Sequence, residues 1–290
     1  MLRAYLLGAA LCAAIPASPA QDAEALRARH AALRAELADN QFGRPLHVES
    51  SGASGRQEGE IFAAIETPYG TVGPALERME HWCDILLLPV NVKYCESSAG
   101  TADTLSIFVA RKPYDPLDEA YRVDFSYEAA AASADYLHVA LRSPSGPFGT
   151  RDYRISLQAA PLDARRTFLH MSYSYRPGIA ARMAMRFYLA TSGRDKVGFS
   201  VVDRLPDGRP VYVDGVRGVV ERNTMRYYLA VEAYLGALNE PRGQRLEKRL
   251  RDWHAAIERH PQLRELERDE YLKLKRWETL RQEVGVVSDR

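Results

Sequence analysis

From residue 59 onward the chain alternates apolar and polar side chains with a period of two, interrupted by stretches of helical period. Residues 121–128, YRVDFSYE, are the clearest case. Tyr121, Val123, Phe125 and Tyr127 point one way and Arg122, Asp124, Ser126 and Glu128 the other, the signature of a strand with one buried and one wet face. The same reading predicts strands over 59–67, 92–97, 104–110, 136–142, 153–159, 167–175 and 196–202, with turns such as SPSGPFG and APLDARR between some of them. Strands joined in this way make an antiparallel meander, a sheet that tolerates one solvated face.

Helical spacing appears in five places. Residues 71–87 read as one helix or two short ones, and 178–193 as a basic amphipathic helix. In 22–38, Leu26, His30, Leu33 and Leu37 recur on one face, so this helix needs a partner. Residues 41–58, which include most of SSGASGRQEG, are expected to be a linker into a main domain over 59–238. In RGVVERNTMRYYLAVEAYLGAL, residues 217–238, Val220, Thr224, Tyr227, Val231, Leu235 and Leu238 share a face that should meet the sheet or line a cavity. Glu221 suits the positive end of the helix dipole, and Arg222 and Arg226 fall toward the other side, so capping and surface pairing account for these charges. Over 239–290, Leu246, Leu250, Trp253 and Ile257 form one stripe. His260-Pro261 breaks it, and Leu263, Leu266, Leu274, Trp277 and Leu280 form another, which predicts a helical hairpin packed on the N-terminal helix or the sheet.

Composition narrows the function classes. Residues 1–20 carry Arg3, a short apolar run and a small-residue end at Ser18 and Ala20, the pattern of a cleaved export signal. A periplasmic or secreted location is therefore expected. Leu11 before Cys12 does not fit a lipoprotein signal, and no later run reaches the length of a membrane span. With 39 basic and 38 acidic residues, nothing points to nucleic acid. Cys83 and Cys95 remain after the signal, and a disulfide between them is the favoured reading for an exported chain; two separate buried thiols are the alternative. The seven histidines contain no HxH or HExxH spacing, so no metal or other cofactor is expected.

The order of strand, helices, meander and late long helix, carried by GEIFAAIETPYGTV, MEHWCDILLLP, GPFGTRDYRISLQA and ERNTMRYYLAVEAYL, resembles the START-like, or polyketide-cyclase-like, superfamily. The resemblance covers 59–238 and implies an α+β helix-grip fold, a curved antiparallel sheet around a long C-terminal helix. This chain adds an N-terminal helix, the 178–193 stretch and the C-terminal hairpin. Members hold sterols, phospholipids, hormones or polyketides between sheet and helix, and a minority are enzymes. The expectation is an apolar small molecule, a lipid first of all, lined by Tyr227, Val231 and Tyr234 from the helix and Met171, Tyr173 and Tyr175 from a strand, with Asn223 or Tyr227 bonding a polar end.

Two other function classes stay open. A cavity enzyme, cyclase or hydrolase, would use His170 or Glu66 as acid or base, although the parity of His138 and His170 is opposite to that of the aliphatic positions. No residue is assigned as catalytic. An interaction scaffold would use the terminal helices, its partner unidentified, and would leave the Trp253 and Trp277 stripes exposed. The 178–193 stretch is either a helix buried on the sheet or a basic lid that touches an anionic membrane transiently.

Overall fold

The computed structural model describes residues 19–52 and 55–284. The expected signal over 1–20 lies outside the described residues up to position 18. The helices are α1 (Pro19–Ala32), α2 (Arg34–Ala38), α3 (Tyr69–Leu76), α4 (Met79–Leu86), α5 (Ile179–Ala190), α6 (Gly215–Gly236), α7 (Arg242–Glu258) and α8 (Arg268–Val284). The strands are β1 (Leu46–Ser51), β2 (Gln57–Ile65), β3 (Val92–Ser98), β4 (Thr104–Val109), β5 (Tyr121–Ala132), β6 (Leu137–Ser145), β7 (Arg151–Pro161), β8 (Thr167–Arg176), β9 (Val201–Arg204) and β10 (Pro210–Tyr212).

β1 to β8 form one antiparallel sheet in the order β1-β2-β8-β7-β6-β5-β4-β3. The chain starts at one edge, crosses to the other through α3 and α4, and returns as the meander β3 to β8. One face carries Ile61, Val123, Phe125, Leu141, Ile155, Leu157, Met171 and Tyr173, all buried in the main core with α6. α6 packs on β1, β2 and β8, α4 covers its far half, and α7 lies along it. This is a helix-grip arrangement of α+β class.

Gly59 lets the grip close. A Cβ there would lie 2.4 Å from Thr224 Oγ1 and 3.1 Å from the Val220 carbonyl, so β2 meets α6 backbone to backbone at this point. The opposite sheet face is not left wet throughout. α1 and α2 bury Ala23, Leu26, Leu33 and Leu37 there against Phe62, Tyr136, Ala160 and Phe168.

The structure corrects three expectations about organisation. The supposed linker over 41–58 contains the edge strand β1, whose Leu46 and Val48 are buried while His47 and Glu49 are half-buried; a short alternating run beside Ser and Gly was masked by its neighbours. The 196–202 stretch does not rejoin the sheet: only Val201–Arg204 is a strand, and it pairs with β10 as a separate ribbon. The boundary expected at 238 is not a division of the core: α7 packs on α6 and α8 on β3, and Leu250, Trp253, Ile257, Leu263, Tyr271 and Leu272 belong to the main core.

α8 also turns its face away from the predicted stripe. It buries Tyr271, Leu272, Lys275, Glu278 and Arg281 and leaves Trp277 52 % and Leu280 59 % exposed. The reason is a polar network at the sheet edge. Glu278 accepts from Lys93 Nζ at 2.8 Å and Lys275 Nζ at 2.7 Å, and Lys275 also donates to the carbonyls of Pro89 and Val92. Gln282 exchanges hydrogen bonds with both backbone groups of Cys95 on edge strand β3, which closes an edge that would otherwise invite another strand. Cys83 on α4 and Cys95 on β3 are joined by a disulfide, with Cα atoms 5.3 Å apart.

Candidate functional site

Between the sheet and the first half of α6 lies a cavity of about 1000 Å³. Ile107 and Val109 of β4, Val123 and Phe125 of β5, and Ile155 of β7 supply its apolar wall. Val216, Val219, Asn223, Arg226 and Tyr227 of α6 face them across the space. The cavity exists there because α3 and α4 fill only the other half of the grip, where Trp82, Leu86 and Leu76 pack into the core.

One end is walled by tyrosines. Tyr153 stacks on Tyr175 at 5.4 Å between ring centroids, Tyr173 lies 5.8 Å from Tyr175, and Tyr227 of α6 lies 5.5 Å from Tyr173. Burial pushes the Tyr173 phenol well above its ordinary value and those of Tyr175 and Tyr227 up to about 12, with neighbouring phenols adding to the shift. All three are neutral at physiological pH and serve as hydrogen-bond donors or acceptors, not as bases. Asn223 Oδ1 accepts from Arg226 at 3.2 Å, and Arg226 reaches Glu265 at 2.6 Å. The Arg226 Nε is buried without a hydrogen-bond partner among the described residues.

α5 borders the open side. Ala181, Met185, Tyr188 and Leu189, at steps of four, three and one, line the cavity. Ile179, Met183 and Phe187 stand 73 %, 66 % and 72 % exposed. The helix is therefore apolar on two sides and is not buried against the sheet. Its start rests on the β6–β7 turn, where a Cβ on Gly178 would lie 2.2 Å from the Gly149 carbonyl oxygen. Its return is held by α6: Arg222 donates to the carbonyls of Lys196 and Val197 and reaches the Tyr188 hydroxyl at 3.4 Å.

The charges opening α6 thus do a different job from the one expected. Glu221 and Arg222 are buried rather than on the surface. The Glu221 carboxylate accepts from Ser50 and Ser200 hydroxyls, both at 2.6 Å, and from the backbone N–H groups of Phe199 at 2.6 Å and Ser200 at 2.9 Å. It ties β1 and the segment after α5 to α6. Sequence spacing held a hint, since both residues sit in the first turns of a helix, but their partners are 21 to 171 residues away.

Of the candidate lining residues, Tyr227, Asn223, Tyr173 and Tyr175 border the cavity. Val231, Tyr234 and Met171 do not. Val231 and Met171 are buried in the core, and Tyr234 packs 5.5 Å from His81 of α4, because α4 occupies the space beneath the second half of α6. The lining residues missed include those of α5, the strand positions Ile107, Val123 and Phe125, and the polar Arg111, Lys112, Tyr153 and Arg226. His170 lies on the other sheet face, stacked 4.3 Å from Phe62 with Glu60 at 2.8 Å, and His138 reaches Ser156 at 3.0 Å on that same face. Glu66 is exposed beyond the end of β2. The cavity holds neither proposed acid or base. Among the described residues no group of three or more His, Cys, Asp or Glu side chains is placed to hold a metal ion.

No family model matches the chain, and no curated protein matches it. Several solved structures do. The Zhui aromatase/cyclase from a Streptomyces species is 15 % identical over 66 % of this chain and 93 % of its own, with a TM-score of 0.34. The Ara h 8.0201 structure is 12 % identical over 66 % of this chain and 99 % of its own, at 0.36. Human StAR-related lipid transfer protein 5 is 11 % identical over 60 % and 90 %, at 0.31. In architecture, the chain has the expected helix-grip plan, an antiparallel sheet laid around α6. It departs from a simple sheet-and-helix plan through α5 over the cavity and the α7–α8 hairpin behind the gripping helix.

Proposed function

We propose that this chain is an exported binding or transfer protein that holds an apolar small molecule, a lipid in chemical class, in the cavity between its sheet and α6. The observation that carries this is the cavity itself. Its volume of about 1000 Å³ lies at the upper end for small-molecule sites, its sheet wall is largely aliphatic and aromatic, and its polar groups are seven hydroxyls, three amides and five cations. A wall of that kind retains an apolar body by burial and orients one polar end. The leader-like N-terminus and the Cys83–Cys95 disulfide support an oxidising, exported location. α5 is then the lid. Its exposed Ile179 and Met183, with Phe187 at the cavity rim and Arg182 and Arg186 beside them, suit a transient contact with an anionic bilayer while ligand passes.

Native mass spectrometry of protein purified from its own host tests the reading. A bound mass released on denaturation and recovered by organic extraction is the expected result. Protein that carries no such mass and takes up no fluorescent lipid would sink it. A second reading, recruitment of a protein through α8, has the exposed Trp277 and Leu280 in its favour; Trp253, the other half of that expectation, is buried.

A further inference from the structure

The charges around the cavity are one-sided. Arg111 and Lys112, in the segment after β4, and Arg182 and Arg186, on α5, all border it, and no aspartate or glutamate does. The full sequence is nearly balanced, 39 basic residues against 38 acidic, so this excess is local. Arg226 also lines the space, but Glu265 answers its charge at 2.6 Å. The other four are exposed and form no ion pair among the described residues, as is true of several other exposed arginines such as Arg154 and Arg251; what sets these four apart is their shared place around one cavity. Four such cations around one cavity, with no carboxylate among the residues that line it, give its border a local positive charge.

We propose that the ligand is an amphipathic anion, its apolar body inside the cavity and its acid group, a carboxylate or phosphate, at the rim between the 111–112 segment and α5. This rests on the binding-protein reading above and adds the ligand's charge and orientation. The division of labour follows from burial. The tyrosine wall is neutral and lies deep, so a free anion placed there would lose its hydration for hydroxyl contacts alone. At the rim the acid keeps part of its water and gains charge-assisted hydrogen bonds from guanidinium groups, whose flat forks suit either oxyanion. Because two of the cations ride on α5, an acid held by Arg182 and Arg186 would draw the lid onto the ligand. Ligand occupancy and lid closure would then be the same event.

The test uses the full chain with its disulfide intact, titrated with a dansyl-labelled fatty acid and, in parallel, its methyl ester. The acid is expected to bind about tenfold or more tightly than the ester at low salt, with the preference shrinking as salt rises. Replacing Arg182 and Arg186 by Gln, or Arg111 and Lys112 by Gln, keeps the apolar stems in part and removes the charge. Each pair should lower the acid-over-ester ratio by about threefold, a rim-exposed charge being worth less than a buried one, and all four together should bring it to about one. A long-chain alkyl phosphate in place of the acid separates carboxylate from phosphate by which binds more tightly. Equal binding of acid and ester by the unaltered chain overturns the proposal and leaves the cavity reading standing. Failure of both probes to bind removes the cavity reading and this inference with it. If the four substitutions leave the ratio unchanged but abolish sedimentation with phosphatidylglycerol vesicles, the cations serve a membrane surface and the inference is wrong.

Discussion

Replacing Glu221 should separate what its charge does from what its shape does. The carboxylate is fully buried and receives four donors, two hydroxyls and two backbone N–H groups. In Glu221→Leu the hydroxyls can turn elsewhere, and Ser200 already lies 3.0 Å from the Val48 carbonyl. The N–H groups of Phe199 and Ser200 cannot. Each buried donor left without a partner costs roughly 1–3 kcal/mol, so the loss should be about 4 kcal/mol for the two. Glu221→Gln is different. Its amide oxygen can face the two N–H groups while its NH2 donates to the serine oxygens, which accept as well as donate. Only the charge assistance is lost, about 1–2 kcal/mol. Urea unfolding followed by tryptophan emission reads both values, since Trp82 and Trp253 lie in the core. The Leu variant should also become sensitive to proteolysis over 191–200, where the chain returns from α5. A Leu variant within about 1 kcal/mol of the unaltered chain, or a Gln variant as damaged as the Leu one, would refute the assignment of this carboxylate as the anchor.

Gly59→Ala should destabilise the grip by about 1–3 kcal/mol through overpacking against Thr224, and Thr224→Ala in the same chain should return part of that loss in thermal unfolding. Replacing Cys83 and Cys95 by Ala opens a loop of 12 residues and should cost about 3 kcal/mol on a chain-entropy account, seen as a lower urea midpoint that reductant no longer changes. His260 packs against Phe42 and Phe199, and burial, with Arg44 and Arg259 adding to it, lowers its value to about 4. Between pH 6.5 and 4 the unfolded chain therefore binds a proton that the fold resists, so stability is fully present above 6.5 and falls as pH drops through that window. With allowance for the ring's partial exposure the loss is about 1–2 kcal/mol, and His260→Asn should flatten that part of the curve of unfolding free energy against pH.

How much of this could be read in advance depended on the range of the interaction. The alternation in 121–128 placed Val123 and Phe125 on the inner face because side-chain parity in a strand is local. The same parity put His138 and His170 on the other face, and the structure shows both there. Tyr173 and Tyr175 follow from parity too. Val231 and Tyr234 fail for a reason that periodicity cannot contain. They lie on a correctly placed helix, but α4 occupies the space in front of them, so only the first half of α6 sees the cavity.

The charged positions show the same limit from the other side. Lys275 and Glu278 interrupt the apolar stripe of α8 in sequence, yet Lys93 and the carbonyls of Pro89 and Val92 make them its buried face. By itself the sequence determined the meander from β3 to β8, the long helix after it, the face each of those strands turns inward and a pair of cysteines able to meet, because these rest on backbone period and on chemistry close along the chain. It did not determine edge strand β1 or the fate of 196–202. Only the tertiary structure decided where the grip stays empty, which charges are answered and which are left at the rim. Those depend on distant segments competing for one volume, and no local pattern records the outcome.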